Sequence, residues 1–382
     1  MPAPPRRARL LTLAFLLSSG PLTLADAPPA DAWPARRAAA LAGTADDRRA
    51  AAWWAVQKGL APEAVELLKA GAARDAADPA LARLSQVIAG LEAPLPDPDL
   101  APLERLLPPA ARTARGPHTL LIHGHDEAEA ARKVALLERV LWTFYLEGSQ
   151  RGLALRPPRE RLVFLLFRDR AAYQARLKAE GATAFLDTHG YFHPTRLVVL
   201  QCDERAFEPT GPRGSRDRAR AQRDVGTAAH EWAHLLARVS GLVPRHEDWP
   251  LWLHEGFAMQ YEAATGDGTW AGPGEPSPER LADWRTLARP VPLERLLDPA
   301  RPAVGYDRGF YAAAWAWVYF LRTEHPDAWA GLLHAGQNPD DAGLRRPAAV
   351  RSRLEAATGK PLASLQRDWH AFLRGLPTPG PD

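Results

Sequence analysis

Apolar and polar positions follow two rhythms along this chain. From about Asp31 to Leu106 the rhythm is helical and alanine-rich. The stretch DRRAAAWWAVQKGLAPEAVELLKAGAARDAADPALARLSQVIAGL reads as two or three short helices, punctuated by Gly59, Pro62 and Pro79. Between 92 and 117 a run of prolines, from Pro94 to Pro117, marks a linker. The grammar then changes: TLLIHG (119–124) and RLVFLLF (161–167) read as strands, and a third runs through Arg196 to Leu200. Between the first two, Asp126 and Glu129 offer a capping-box-like start, and Val134, Leu137, Leu141 and Phe144 recur at helical spacing. A short helix is expected around Ala171 to Lys178. Arginines cluster with Gly, Ser and Asp from 213 to 223, which reads as a surface loop. The rest is helical, with a Pro/Gly-rich loop at 266–278 and helices near 306–323, 347–357 and 362–374.

This order of elements predicts an α+β protein, in which a small α/β subdomain precedes a mostly helical one and a helical hairpin module precedes both. The expected boundaries are 1–27 for a signal peptide, 28–112 for the helical module and its Pro-rich linker, 113–212 for the α/β part and 213–382 for the helical part. A length of 382 residues fits two or three units, and 46% hydrophobic with 24% charged residues is ordinary for a chain with a sizeable core. The leading pattern, Trp-Ala, then Gly-Leu, then Glu-Ala-Val-Glu-Leu-Leu, then Asp-Pro-Ala, resembles one degenerate tetratricopeptide-like hairpin. A single unit cannot build a solenoid. Residues 28–112 are therefore expected either to pack or to hold a protein partner.

The first residues change the charge picture. Arg6, Arg7 and Arg9 precede an apolar run from Leu10 to Leu17, and small residues from Ala25 to Ala27 offer a cleavage site, the layout of an export signal. The apolar run is too short to span a bilayer, which needs about 20 residues, and no later stretch qualifies either. The expectation is an exported protein, periplasmic or extracellular, without a stable membrane span once the signal is removed. Segment 1–25 carries three arginines and no acid, so its loss takes the net charge from +3 to zero (3 − 3). No nucleic-acid partner is implied. Cys202 is the lone cysteine, which excludes an intrachain disulfide and reads as a buried, inert thiol.

The chemistry lies at His230-Glu231-Trp232-Ala233-His234. On a helix the two histidines stand one above the other on one face, where two imidazoles can share one Zn²⁺. Glu231, about 100° round the helix, is placed to take a proton from water instead of binding metal. Val225, Ala228, Ala229, Trp232, Leu235, Leu236 and Val239 supply apolar faces, and Gly241 is a natural stop. Catalytic zinc takes three protein ligands. Glu255, in WLHEGFA and 21 residues after His234, can complete a His₂Glu set from a returning helix.

HEWAH followed by WLHEGFA is similar to the gluzincin metallopeptidases, whose aminopeptidase N-like members carry HExxH and then WLNEGFA. His254 stands where that family usually has Asn. The resemblance spans roughly 117–375, and only the two zinc helices are sharply diagnostic. It implies one Zn²⁺ per chain held by His230, His234 and Glu255, with Glu231 as general base on a peptide or protein substrate. It also implies that Glu262 orients a ligand. Tyr306, in Tyr-Asp-Arg-Gly-Phe, is implied to steady the oxyanion, with Tyr311 in reserve. By analogy GYFHPTRLVVL (190–200) would be the edge strand beside the substrate, with His189 and His193 flanking it. No counterpart of the exopeptidase amine-capturing motif is present, and the compact size and leader look closer to secreted bacterial peptidase-MA-like proteins. The alternative is a zinc-containing but inactive pseudopeptidase that binds a partner in the cell envelope. His123 and His125 lie at a strand end without a partner at ligand spacing, and His246, His325, His334 and His370 read as surface or packing residues.

Overall fold

The computed structural model describes residues 29–74, 79–109, 111–207, 213–245, 249–287, 289, 291–298, 307–338 and 341–377. The expected signal peptide, His246 and Tyr306 lie outside them. The architecture is helix-rich with one small sheet, a mixed α/β arrangement consistent with α+β.

Four helices lead: α1 (Pro29–Ala42), α2 (Ala45–Gln57), α3 (Ala61–Arg74) and α4 (Pro79–Glu92). Thr44 starts α2 with a reciprocal capping box to Asp47. Their core of Val56, Leu67, Leu68, Leu84 and Ile88 takes in Leu146 from a later helix, so the module shares its interior with the rest of the protein. Its α2–α3 turn also docks far away. Gly274 N–H donates to Gln57 O at 3.0 Å, Lys58 pairs with Glu275, and Arg322 donates to Gln57 at 2.7 Å.

The sheet has the order β1-β2-β3-β5-β4, from β1 (Arg112–Arg115), β2 (Thr119–His123), β3 (Leu162–Phe167), β4 (Gly190–His193) and β5 (Val198–Cys202). The three central strands β2, β3 and β5 are parallel, and β1 and β4 run antiparallel at the edges. Both faces of the central strands are covered, which is why they read as continuous apolar runs. Leu121, Phe164, Leu166 and Val199 face α5 (Glu127–Gln150) and α7 (Arg213–Val239). Ile122, Leu165, Phe167 and Leu200 face α6 (Arg170–Ala179) and the segment carrying Leu103 and Leu106. Asp126 caps α5 by accepting from Glu129 N–H. Beyond α7 come α8 (Leu251–Ala258), α9 (Pro278–Thr286), α10 (Leu293–Leu296), α11 (Arg308–Glu324), α12 (Pro326–Gln337), α13 (Pro347–Thr358) and α14 (Leu362–Gly375). Among the described residues no helix is long and apolar enough to cross a membrane.

Three expectations change. The Pro-rich stretch 92–117 is no free tether: Leu95, Leu103 and Leu106 are buried, and its end forms β1. Prolines remove backbone donors, but the apolar residues between them still find a core and the strand sits at a sheet edge where pairing is one-sided. The arginine-rich 213–223 is not a loop but the start of α7, for arginine is a good helix former. There Arg220 donates to Phe207 O, and Arg223 pairs with Glu204 at 3.2 Å. Finally, 190–200 is not one strand but the β4–β5 hairpin. It bends through Pro194 to Leu197, and Leu197 takes the left-handed φ of 52°.

Candidate metal centre

Helix α7 buries Ala228, Ala229, Trp232, Ala233, Leu235 and Leu236, and Trp232 Nε1–H donates to Leu137 O at 3.0 Å. This fixes the rotation of α7 and aims His230 and His234 the other way. The helix ends at Val239 and the chain turns at Gly241, whose φ of +79° suits only glycine without strain. The chain returns as α8, which lies between α7 and α11. A β-carbon on Gly256 would meet Ala314 O at 2.8 Å, so glycine beside Glu255 is what lets α8 press against α11.

Packed this way, three donors converge. His230 Nε2 and His234 Nε2 are 3.0 Å apart, and Glu255 oxygens lie 3.4 Å from the first and 3.8 Å from the second. Two ligands of a tetrahedral ion with bonds near 2.05 Å would be about 3.3 Å apart, so the spacing fits such an ion. Among the described residues this is the group of histidine, cysteine and carboxylate side chains that could hold a metal, with its ligand atoms within 4.8 Å of one another.

Electrostatics agree with a cation at the centre of the triad. Burial disfavours a charged His230, but the carboxylates of Glu255 and Glu262 outweigh it and push its pKa up to about 10. Burial would raise the Glu255 carboxyl, and His234 and His230 instead hold it well below the usual carboxylate range. The site draws positive charge to the place where a divalent ion would supply it. Glu262 Oε1 sits 2.8 Å from His230 Nδ1, an ion-pair distance on the side of the ring away from the triad, which Nε2 faces. Arg280 grips Glu262 with two bonds, Nε at 2.7 Å and Nη2 at 2.9 Å.

Glu231 points elsewhere. Its Oε2 accepts from Phe192 N–H of β4 at 2.7 Å, and burial pushes its pKa up to about 7 against the pull of His230. His254 is buried with its ring stacked on His234 at 4.4 Å. Tyr311 lies on α11, partly buried against the main core. His189 pairs with Glu204 at 2.6 Å and His193 with Glu180 at 3.2 Å, and neither joins the triad. His125 does have carboxylate neighbours, Glu129 at 3.2 Å, four residues on and so at helical spacing after all, and Asp203 at 3.4 Å, brought in by the fold. Sequence reasoning missed Arg280 and Phe192. Arg280 follows Glu262 by 18 residues across the Gly-rich loop, a separation without periodic meaning.

Fold and site thus define a helix-rich α/β protein in which two buried histidines and a part-buried glutamate converge beside Glu231, whose carboxyl burial raises to about 7. Residues 224–339, which contain the triad, Glu262 and Arg280, match a family described as "Protein of unknown function (DUF1570)". No curated protein and no solved structure matches the chain.

Proposed function

We propose that this protein is an exported zinc metallopeptidase of gluzincin type. The observation that carries the reading is the convergence of two buried histidines, His230 and His234, with the part-buried Glu255 at tetrahedral spacing, beside Glu231, whose carboxyl burial raises to about 7. The donor set of two imidazoles and a carboxylate suits Zn²⁺, one ion per chain. Zinc in such a site acidifies water and polarises a scissile carbonyl. A general base works best with a pKa near the working pH, which Glu231 has. It takes the proton of the attacking water and delivers it to the leaving amine. Glu262 holds His230 in one tautomer, and Arg280 holds Glu262. On this reading residues 113–212 and 213–382 form the two sides of the cleft, the substrate is a peptide or protein and not a nucleic acid, and Tyr306 is the oxyanion donor. Residues 28–112 are a packing module with room for a protein partner.

The test is Glu231→Gln. Purified protein should carry about one zinc per chain and cleave a mixed peptide library in a chelator-sensitive way. The variant should keep its zinc and lose turnover. Turnover that survives the substitution removes Glu231 as base, and zinc without cleavage in the wild type favours the inactive, partner-binding alternative.

A further inference from the structure

We infer that strand β4 is the seat of the catalytic base, and that Gly190 and Phe192 are positioning residues for Glu231; the inference rests on the peptidase reading for the word "base" and on geometry for the rest. Gly190 lies in a strand, buried, with a backbone outside the left-handed region, so its conformation does not require glycine. Glycine inside a strand weakens it and marks close approach by another group. Here that group is α7. A β-carbon on Gly190 would stand 2.6 Å from Thr227 Cγ2, 2.7 Å from Glu231 Cγ and 3.3 Å from Glu231 Oε1. The missing side chain is the room that Glu231 occupies.

The strand's register supplies the second contact. Cys202 N–H donates to His189 O, so His189 and Tyr191 direct their backbone groups toward β5, and Gly190 and Phe192 direct theirs off the free edge. Phe192 N–H meets Glu231 Oε2 at 2.7 Å, and Gly190 O accepts from Thr188 Oγ1 at 2.7 Å. Phe192 also lays its ring over His234, centroids 6.3 Å apart and planes 18° from parallel. One strand therefore touches both the base and a metal-site histidine. It follows that an extended substrate approaching β4 finds the Phe192 N–H already engaged.

The test compares zinc-loaded wild type with Gly190→Ala, using Gly331→Ala as a control because nothing lies within 4 Å of a β-carbon there. Gly190→Ala should retain full zinc and nearly unchanged KM while kcat falls about 100-fold, the scale of an ångström-sized misplacement. Unchanged kcat, or loss of zinc together with kcat, overturns the positioning role. A second measurement needs no substrate. In a Thr227→Ser background, which deletes the competing methyl, the Tm loss caused by Gly190→Ala should shrink markedly when Glu231 is cut to Ala. Equal losses with and without the Glu231 side chain overturn the seat. If the wild type cleaves nothing, the peptidase reading fails, while this coupling is still read from Tm.

Discussion

Glu262→Gln keeps the shape of the side chain and removes its charge. In the folded protein the carboxylate meets Arg280 Nε at 2.7 Å, Arg280 Nη2 at 2.9 Å and His230 Nδ1 at 2.8 Å. Burial alone would raise its pKa; Arg280 and His230 outweigh burial and hold it at about 2, against an ordinary 4.5. At about 1.4 kcal/mol per tenfold change in proton affinity, that gap is worth about 3 kcal/mol of folding stability. Removing one partner from a buried ion pair gives a similar figure, about 3–5 kcal/mol. A depressed carboxylate pKa stabilises fully above its unfolded value and ceases to do so as pH falls through its folded value. The stability gap between wild type and variant should therefore be complete above pH 4.5 and close toward pH 2. Thermal unfolding at neutral pH should show Tm lower by about 6 °C, at about 2 °C per kcal/mol for a chain of this size. Competition with a chelator should show zinc held about 10- to 100-fold more weakly, because the group that orients His230 has lost its charge. An unchanged Tm together with unchanged competition would refute the claim that Glu262 is bound into the metal site.

Two further predictions concern the frame. Burial, with Asp203 and Glu204 adding to it, pushes the Cys202 thiol up to about 12. Iodoacetamide at pH 8 should leave the native protein unmodified and label it after urea denaturation, and labelling of the native state would contradict the assigned burial. Since that pKa is raised, its contribution to stability is complete below about 9 and fades as pH rises toward 12. Gly272 has φ +85°, and a β-carbon there would meet the backbone of Gln57 at 2.5 Å and that of Gly59 as well. Gly272→Ala should cost about 3 kcal/mol from strain and overlap combined and open residues 29–92 to trypsin, and a digestion pattern like wild type would show that the docking is dispensable.

The HExxH and WLHEGFA segments were legible because metal chemistry dictates residue type and because ligand spacing on a helix is local. The buried strands β2 and β3 were legible for the same kind of reason, as short unbroken apolar runs. Glu262 became visible through family resemblance, but Arg280 did not, since nothing local ties an arginine to a carboxylate 18 residues away across a Gly-rich loop. The hairpin of β4 and β5 was read as one strand because Val198 to Leu200 dominate the pattern and the turn at Leu197 carries no glycine. Arginines at 213–223 suggested a loop by charge alone, whereas their helix propensity and the contacts of Arg220 and Arg223 decide for α7. The linker reading failed because proline content was weighed above the leucines that alternate with it.

The docking of the α2–α3 turn has a bearing on how the molecule is made. Helices α1 to α4 rest largely on neighbours close in sequence and can form as soon as they are synthesised. Their fixed place, however, depends on α5 and also on Glu275 and Arg322, the last two separated from Lys58 and Gln57 by 217 and 265 residues. The segment from Glu262 to Glu275 is held at both ends, by His230 on one side and by the leading module on the other. A growing chain therefore cannot complete the docking of its leading helices until Glu275 and Arg322, both in its last third, have been made.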